Sequence, residues 1–390
     1  MYRLLCTPKV QLDYGSTIQS NAPMKHNTWH YPRTELARQI LDMFESGLSS
    51  ALTFFAPRRM GKTEFLCHDI MPLAKKRGWQ VFYFSFLDAD KTAPAEFTKA
   101  LLAFAQQNIS LTNKTRGLFE RISKVRGEAL GIKAELTFDN HAHASRDLKE
   151  VMVELAKKGQ LLLLMDEIQV LAQYPMHAHF VAALRTCLDI HKNTIKVIFT
   201  GSSQEGLRRM FSQARAPFFH FGQNLHFPEL DRGFTDHLVR MFEIATKRKL
   251  ETERLWNAFE EMQKVPQLIR ALVERLALNP GLELEQAKQQ LLSEVFSDRD
   301  FAKLWQDCAA LERLLLREIA QNESSSLFGI ETRNAFASIL GVETLSVASV
   351  QSAMRTLQRK GLIGKNPGRR GFFIDDLNLK SWLLQISIGE

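Results

Sequence analysis

Short, mainly apolar runs alternate with amphipathic segments over about the first 230 residues of the chain. The runs occupy residues 51–56, 80–88, 160–167, 195–202 and, with a weaker pattern, 224–230. Strands that are apolar along their whole length are buried on both faces, as in a parallel sheet covered by helices. The segments between the runs show helical spacing of apolar residues, which is clear within 33–44. This alternation predicts a doubly wound α/β domain over residues 31–231.

The pattern changes after Asp231, where the strand-like runs stop. Four amphipathic segments follow, at 234–250, 253–262, 266–278 and 284–296, and they predict a small all-helical module. We therefore divide the chain into an N-terminal lead-in (1–30), the α/β core (31–231), a helical lid (232–305) and a C-terminal module (306–390).

The C-terminal module combines helices with a hairpin. Residues 311–321, 331–340 and 346–360 have the spacing of three short amphipathic helices. Residues 361–374 then read as a strand, a basic turn rich in Gly and Pro, and a second strand. Three helices followed by such a hairpin resemble a winged helix, whose third helix can enter the major groove of DNA while the hairpin touches phosphate.

Composition places the chain among ordinary globular proteins. Of its 390 residues, 45% are hydrophobic and 24% are charged, so disorder is not the default expectation. No apolar run approaches the roughly 18–20 residues that cross a bilayer, and the N-terminus has no apolar core of a secretory signal. The four cysteines are widely scattered and show no CxxC spacing. We therefore expect a cytoplasmic protein without a membrane partner.

The net charge of +8 has a strong local component near the C-terminus. Between residues 346 and 374 the chain carries six basic residues and no acidic one. A patch of one sign attracts polyanions because binding releases their counterions. The residues expected to contact duplex DNA are Arg355, Arg359, Lys365, Arg369 and Arg370. The alternative is that the winged helix docks a protein partner or serves as a scaffold.

A phosphate-binding motif follows the first predicted strand. Residues 56–63 read APRRMGKT and match the P-loop pattern GxxxxGK[ST], except that Ala56 replaces the first Gly. In such a loop the backbone N–H groups and the helix N-terminus surround the phosphates. Lys62 is expected to reach the β- and γ-phosphates of ATP, and Thr63 to hold Mg²⁺. The predicted nucleotide-binding residues of this segment are Ala56, Pro57, Arg58, Arg59, Met60, Gly61, Lys62, Thr63 and Glu64.

Two consecutive carboxylates, Asp166 and Glu167, end the apolar run 160–167. Unpaired acids at the end of a buried strand are costly unless they meet a cation or a solvated cleft. Ligands of open α/β sheets bind at the carboxyl ends of the strands. We therefore expect Asp166 to bind Mg²⁺ and Glu167 to activate the water that attacks the γ-phosphate. The alternative is a strand that leaves the sheet through two exposed acids.

Several motifs, taken in order, resemble those of the archaeal-type ATPases of the STAND group, relatives of the AAA+ proteins. The loop 56–63 resembles the GPRRxGKT loop of that family. Arg33, Glu35 and Leu36 resemble its RxEL box, which packs near the adenine and places Arg33 in the nucleotide site. The resemblance covers about residues 31–280 of the chain.

Two later segments extend the resemblance. Residues 199–203 resemble the sensor 1 strand, in which a polar side chain, here Ser202, reads the γ-phosphate. Residues 265–268 resemble the sensor 2 motif of the helical module and place Pro266 at the nucleotide. The Gly-His pair that usually precedes this motif is absent here.

The resemblance implies a P-loop NTPase core with an ASCE/AAA+-like parallel sheet of order 5-1-4-3-2. It also implies ATP and Mg²⁺ as ligands and a nucleotide-driven switch that often forms homo-oligomers. Family members often carry an Arg shortly before the fifth strand, but residues 218–224 contain none. Arg208, Arg209 and Arg215 are candidates for an arginine finger, with solvated surface charges as the alternative.

The sequence supports two functions of different classes. One is a switch that binds and hydrolyses ATP and thereby gates the occupancy of duplex DNA by the winged helix. The other is a slowly hydrolysing signalling switch whose winged helix binds a protein partner. Salt separates the two, since counterion release makes DNA binding fall steeply with salt concentration. A small-molecule kinase is a third alternative, against which the tandem Asp-Glu argues.

Overall fold

The computed structural model describes residues 28–87, 90–108, 138–211, 216–297, 301–322, 326–365, 371–374 and 376–385. The strands of its larger sheet are β1 (Ala51–Phe55), β2 (Gln80–Ser85), β3 (Leu161–Asp166), β4 (Ile195–Gly201) and β5 (Gln223–His226). Each of the five strands overlaps one of the five apolar runs, so the prediction of these strands is confirmed.

The five strands form a parallel sheet in the order β2-β3-β4-β1-β5. This is the expected order 5-1-4-3-2 read from the other edge, and it confirms the α/β fold class of the core. β2 pairs with β3 so that Ser85 lies opposite Asp166. β1 pairs with β5 so that Phe55 lies opposite His226.

Burial explains why the apolar pattern is clearer in some of the five runs than in others. Every residue of β3 and of β4 is buried, as central strands covered by helices require. All four residues of β5 are exposed, and β5 forms one edge of the sheet. An edge strand does not need a continuous apolar pattern, which is why residues 224–230 give the weaker signal.

One helix precedes the first strand of the sheet, and the others lie between its strands along the chain. They are α1 (Thr34–Glu45), α2 (Lys62–Glu64), which continues through a π-helical stretch (Phe65–Ile70) into α3 (Met71–Lys76), α4 (Ala93–Asn108), α5 (Phe138–Ala156), α6 (Ala178–Ile190) and α7 (Gln204–Phe211). Single 3₁₀ turns cover Asp90–Thr92, Ile168–Ala172 and Pro175–His177. The buried residues of α1 are Ala37, Ile40, Leu41 and Phe44, which lie on one face as the helical spacing of 33–44 predicts.

The chain forms two compact units. One contains Thr34–Ala51 and Ile70–Ile198, together with the described residues before Tyr31. The other contains Tyr31–Arg33, Leu52–Asp69 and Phe199–Glu390. The second unit therefore includes the loop after β1 and everything from the end of β4 onward.

Four helices follow Asp231, as predicted: α8 (Arg232–Thr246), α9 (Thr252–Glu261), α10 (Pro266–Leu278) and α11 (Leu284–Ser297). The Asp231 carboxylate caps α8, since it accepts a hydrogen bond from the Gly233 N–H over 3.1 Å. Pro266 suits the first position of α10, where a backbone N–H has no partner within the helix. Arg275 of α10 donates to Glu294 of α11 over 2.9 Å and so links the last two helices.

The C-terminal part contains α12 (Phe301–Gln306), α13 (Ala310–Gln321), α14 (Ile330–Leu340), α15 (Val347–Arg359), the antiparallel strands β6 (Ile363–Lys365) and β7 (Phe372–Ile374), and α16 (Leu377–Gln385). One apolar core joins these elements and extends from Phe301 and Trp305 to Leu379 and Leu383. The pattern of the sequence predicted α13–α15 and the hairpin but neither α12 nor α16. Phe301 and Trp305, at the end of the range assigned to the lid, lie in this C-terminal core.

None of the helices in the described ranges is long and apolar enough to span a bilayer. Cys67, Cys187 and Cys308 are free thiols. Burial raises the pKa of Cys187 to about 11. Its thiol is therefore protonated at neutral pH and behaves as a small apolar core group.

We expect Leu163→Ala to lower the free energy of unfolding by about 2–5 kcal/mol, because it removes a fully buried side chain from a central strand and leaves a cavity. Leu48→Ala is the matched control. Leu48 is 80% exposed, so its loss is expected to change stability by no more than about 0.5 kcal/mol. Urea denaturation monitored by circular dichroism measures both values. Equal effects of the two substitutions would contradict the assignment of β3 to the interior of the sheet.

Candidate functional site

The loop 56–61 joins β1 to α2 and begins beside the end of β4. Ala56 is fully buried, and its N–H donates to the carbonyl oxygen of Gly201 over 3.5 Å. Ala56 is not among the residues with positive φ. The methyl group at this position is therefore compatible with the backbone, although the P-loop pattern has glycine there.

Two residues give the loop its sharp turn. Gly61 has a φ of 85°, a left-handed conformation that costs glycine no steric energy. Arg59 has a φ of 71°, which is unfavourable for a residue with a side chain. A non-glycine residue held in this region is a form of backbone strain that often accompanies functional sites.

Lys62 is buried inside the loop, with only 5% of the residue exposed. Its Nζ donates hydrogen bonds to the carbonyl oxygens of Ala56 and Pro57 over 2.7 and 2.9 Å. Burial of an ammonium group is costly unless the group is hydrogen-bonded. The two carbonyls therefore hold a positive charge within the loop.

Three phenylalanines pack beneath the loop. Phe54 of β1, Phe65 of the helix after the loop and Phe227, directly after β5, have ring centroids 5.5–6.0 Å apart. Aromatic pairs at these distances add to the stability gained by burial. The Phe227 N–H also donates to the carbonyl oxygen of Phe55 over 2.9 Å. Together these contacts fix the strand before the loop and the helix after it.

Arg33 covers this aromatic cluster. Its guanidinium carbon lies 4.3 Å from the centroid of Phe227, and Nη1 donates to the carbonyl oxygen of Pro228 over 2.5 Å. Burial lowers the pKa of Arg33 to about 10, while Asp69 and Asp231 act in the opposite direction. Arg33 is therefore charged at neutral pH. The structure places it against the segment that follows β5.

The other predicted residues of the loop differ in exposure. Arg58, Thr63 and Glu64 are exposed, Pro57 and Arg59 are partly buried, and Met60 is buried. Glu64 is also paired with His68 Nε2 over 3.5 Å. The exposed hydroxyl-bearing side chain of Thr63 follows directly after the buried Lys62.

The carboxylate pair lies at the carboxyl end of β3. Asp166 is buried, and one of its oxygens accepts a hydrogen bond from the Tyr83 hydroxyl over 3.1 Å. Glu167 is partly buried and has a left-handed backbone with φ 56° and ψ 40°. Its Oε2 accepts a hydrogen bond from the side-chain amide of Gln169. The alternative of two solvent-exposed acids is wrong, because Asp166 is buried.

Sequence reasoning missed two residues at this end of β3. Tyr83 belongs to β2, the neighbouring strand, and reaches Asp166 only because the two strands pair. Gln169 lies three residues after Asp166, in a short turn whose other residues are mainly buried and apolar. In the sequence, the presence of a polar residue among the apolar residues of that turn is the feature that could have identified Gln169.

Ser202 and Pro266, the residues assigned to the two sensors, occupy defined positions in the second unit. Ser202 is buried and directly follows β4, next to the carbonyl group that receives the Ala56 N–H. Pro266 is buried at the start of α10. Lys264, just before it, lies 3.7 Å from a Glu229 oxygen and 5.4 Å from the centroid of Trp256. The start of α10 is thus tied to the segment after β5 that also receives Arg33.

The basic residues of the C-terminal part are not all available for a ligand. Arg355 and Arg359 are exposed on α15, whose opposite face is buried in the C-terminal core. Lys360 instead forms an ion pair with the buried Glu312 over 2.8 Å. The side chains of Lys365, Arg369 and Arg370 lie outside the described residues, as do those of Arg208, Arg209 and Arg215.

No protein-family model matches the chain, and no curated protein sequence matches it either. Solved structures do. The Walker-type ATPase PABY2304 of Pyrococcus abyssi matches with a TM-score of 0.60 at 15% identity, over 92% of this chain and 100% of that chain. The ORC2 protein of Aeropyrum pernix matches at 17% identity over 90% of this chain and 92% of that chain. Its ADP form gives a TM-score of 0.53, and its ADPNP-ADP complexes give 0.51. These likenesses, with the strand order, show that the core has the P-loop NTPase fold, a parallel sheet of five strands with helices.

We expect Tyr83→Phe to lower the free energy of unfolding by about 1–3 kcal/mol, because it removes a hydrogen bond to a buried carboxylate while keeping the ring. A double-mutant cycle with Asp166→Ala, measured by urea denaturation, isolates the pair, because alanine has no side-chain acceptor for the hydroxyl. The hydrogen bond predicts a coupling energy of at least about 0.5 kcal/mol between the two positions. Additive effects would show that the hydroxyl and the carboxylate do not interact.

Proposed function

We propose that this chain is a STAND-type switch that binds ATP, hydrolyses it and couples nucleotide state to a C-terminal winged helix on duplex DNA. The observation that carries the proposal is the loop after β1, in which the Lys62 ammonium group is buried on two backbone carbonyls. Structures of the same fold that contain ADP and ADPNP support a nucleotide as the ligand.

The residues present fit Mg²⁺-bound ATP. The Thr63 hydroxyl and the Asp166 carboxylate are hard oxygen donors, which Mg²⁺ prefers. Asp166 ends β3, and the loop with Thr63 follows β1. Ligands of parallel sheets bind at the carboxyl ends of the strands, which supports each of these residues as a metal ligand. Bound Mg²⁺ would neutralise charge on the phosphate oxygens.

The proposed binding roles follow from the chemistry of each group. Lys62 exchanges its carbonyl partners for the β- and γ-phosphates, where it meets full rather than partial negative charge. The backbone N–H groups from Arg58 to Thr63 surround the phosphates, as in other P-loops. Arg33 and Pro266 border the base, on the side of the segment that follows β5.

In the proposed hydrolysis, a water oxygen bonds to the γ-phosphorus while the bond to the bridging oxygen breaks, which yields ADP and phosphate. Glu167 accepts a proton from this water. Ser202 donates a hydrogen bond to the γ-phosphate and loses it when phosphate leaves. Arg208, Arg209 and Arg215 remain the candidates for an arginine finger.

The arrangement of the C-terminal part supports a winged helix over residues 306–390. Helices α13, α14 and α15 precede the antiparallel hairpin of β6 and β7. Exposed Arg355 and Arg359 lie on the third of these helices, which is the groove-binding helix of such modules. We assign duplex DNA as the partner of this surface and of the basic turn between β6 and β7.

One aromatic contact connects this hairpin with the strand that leads into the loop. Phe55, the last residue of β1, and Phe373 of β7 have ring centroids 6.3 Å apart. Phe55 also stacks on His226 of β5 at 6.3 Å. Because these rings are in contact, a movement of the loop on nucleotide binding would also displace the hairpin. This supports a coupled switch.

A second candidate function is a signalling switch whose C-terminal module docks a protein. It is favoured by apolar side chains on the surface of this module: Ile330 and Ile339 of α14 are each 66% exposed, and Val342 is 46% exposed. Exposed apolar surface is one of the features that mark protein contacts. The salt dependence of DNA binding decides between the two candidates.

We expect Lys62→Ala to weaken ATP binding by at least about tenfold, or about 1.4 kcal/mol, because it removes the cation inside the loop. Glu167→Gln is expected to retain ATP binding but to slow hydrolysis by about 10²–10⁴-fold. Titration with a fluorescent ATP analogue and a phosphate-release assay measure the two effects. Lys75→Ala, an exposed lysine of α3, is the control. ATP binding unchanged by Lys62→Ala would refute the site.

We expect the double variant Arg355→Ala/Arg359→Ala to bind duplex DNA more weakly and with a shallower dependence on salt. If each arginine contacts one phosphate, the slope of log K against log salt falls by about 1.8. Lys75→Ala/Lys76→Ala removes the same charge from exposed positions outside the module and is the control. Fluorescence anisotropy at two salt concentrations, with and without Mg-ATP, measures the DNA affinity and its dependence on salt. Absence of DNA binding in the unmodified chain would favour the protein-docking switch.

A further inference from the structure

Gln169 is a buried polar residue in an apolar turn. It belongs to the 3₁₀ turn Ile168–Ala172 that follows the carboxylate pair, and only 4% of it is exposed. Its neighbours Ile168 and Val170 are buried and apolar. Since solvent does not reach this position, solubility does not require an amide there.

The amide of Gln169 is only half satisfied. Its Nε2 donates to Oε2 of Glu167, while its Oε1 is buried without a hydrogen-bond partner. A buried acceptor without a partner lowers the free energy of unfolding, whereas an apolar side chain of the same shape avoids this loss. Gln169 thus carries a stability cost that a methionine or leucine would avoid.

The backbone of Glu167, two residues before Gln169, also has an unfavourable conformation. Glu167 has a left-handed backbone with φ 56°, a conformation that is unfavourable for a residue with a side chain. The Val170 N–H donates to the Glu167 carbonyl oxygen over 3.1 Å and closes the turn on this residue. The turn therefore fixes the backbone of Glu167, and Gln169 fixes its carboxylate.

We propose that Gln169 is a positioning residue for hydrolysis, which holds the Glu167 carboxylate in the orientation needed to accept a proton from the attacking water. This inference rests on the proposed function of Glu167. An amide suits the task because it donates to one carboxylate oxygen without adding charge. A lysine would neutralise the carboxylate, and a glutamate would repel it.

The test is Gln169→Met, which keeps an unbranched side chain of similar length and removes the donor together with the unpaired acceptor. Because a misplaced catalytic group can cost up to about a hundredfold in rate, kcat for ATP hydrolysis is expected to fall by about 10- to 100-fold. KM and the affinity for the fluorescent ATP analogue are expected to change by less than about twofold, because no ATP contact is removed. The melting temperature of the nucleotide-free chain is expected to be unchanged or higher, since the unpaired acceptor is gone.

The double variant Glu167→Gln/Gln169→Met separates positioning from other effects. If Gln169 acts through Glu167, the methionine slows hydrolysis by less than about twofold once Glu167 has been replaced. An equal loss in both backgrounds overturns the inference. So does a loss of kcat that is accompanied by weaker ATP binding and a lower melting temperature, because that pattern indicates a structural role.

The same variants distinguish failure of the inference from failure of the proposed function. If Glu167→Gln slows hydrolysis and Gln169→Met leaves kcat unchanged, the inference is wrong and the role of Glu167 stands. If Glu167→Gln hydrolyses ATP as fast as the unmodified chain, the proposed role of Glu167 is wrong and the inference falls with it. A chain without measurable hydrolysis overturns both.

Discussion

The buried ammonium group of Lys62 is the interaction on which the shape of the loop after β1 depends. A cation with so little exposure needs acceptors close by, and the carbonyl oxygens of Ala56 and Pro57 provide them. These carbonyls can point inward only if the chain reverses direction within a few residues. The left-handed conformations of Arg59 and Gly61 provide that reversal. The same backbone conformation therefore determines both the shape of the loop and the position of the Lys62 charge.

The loop keeps this shape because both of its ends are anchored in an apolar base. Phe54 precedes the loop, Phe65 follows it, and Phe227 packs against both. Arg33 lies over Phe227, and Lys264 contacts Glu229 in the same segment after β5. That segment runs directly into the cap of α8 at Asp231. The packing that supports the loop is thus continuous in sequence with the start of α8.

The sequence predicted the parts of the structure that local patterns specify. The fully buried strands β3 and β4 have continuous apolar runs, and the first positions of α10 and the turn at Gly61 have characteristic residues. The order of the strands came from resemblance to a family, because pairing between distant strands leaves no local pattern. For the same reason α12 and α16 were missed: their apolar residues serve a core assembled from the whole C-terminal part.

The loop after β1 and the carboxylate pair after β3 differ in where their polar partners come from. Around Lys62 the acceptors are backbone carbonyls of the loop itself, so the requirement appears in the sequence only as Gly61 and the lysine. Around Asp166 and Glu167 the donors are the side chains of Tyr83 and Gln169. Backbone acceptors are retained whatever side chain the loop carries, whereas side-chain donors disappear with a single substitution. The loop therefore keeps its acceptors under substitution of its side chains, whereas the arrangement of the two carboxylates depends on the identity of Tyr83 and Gln169.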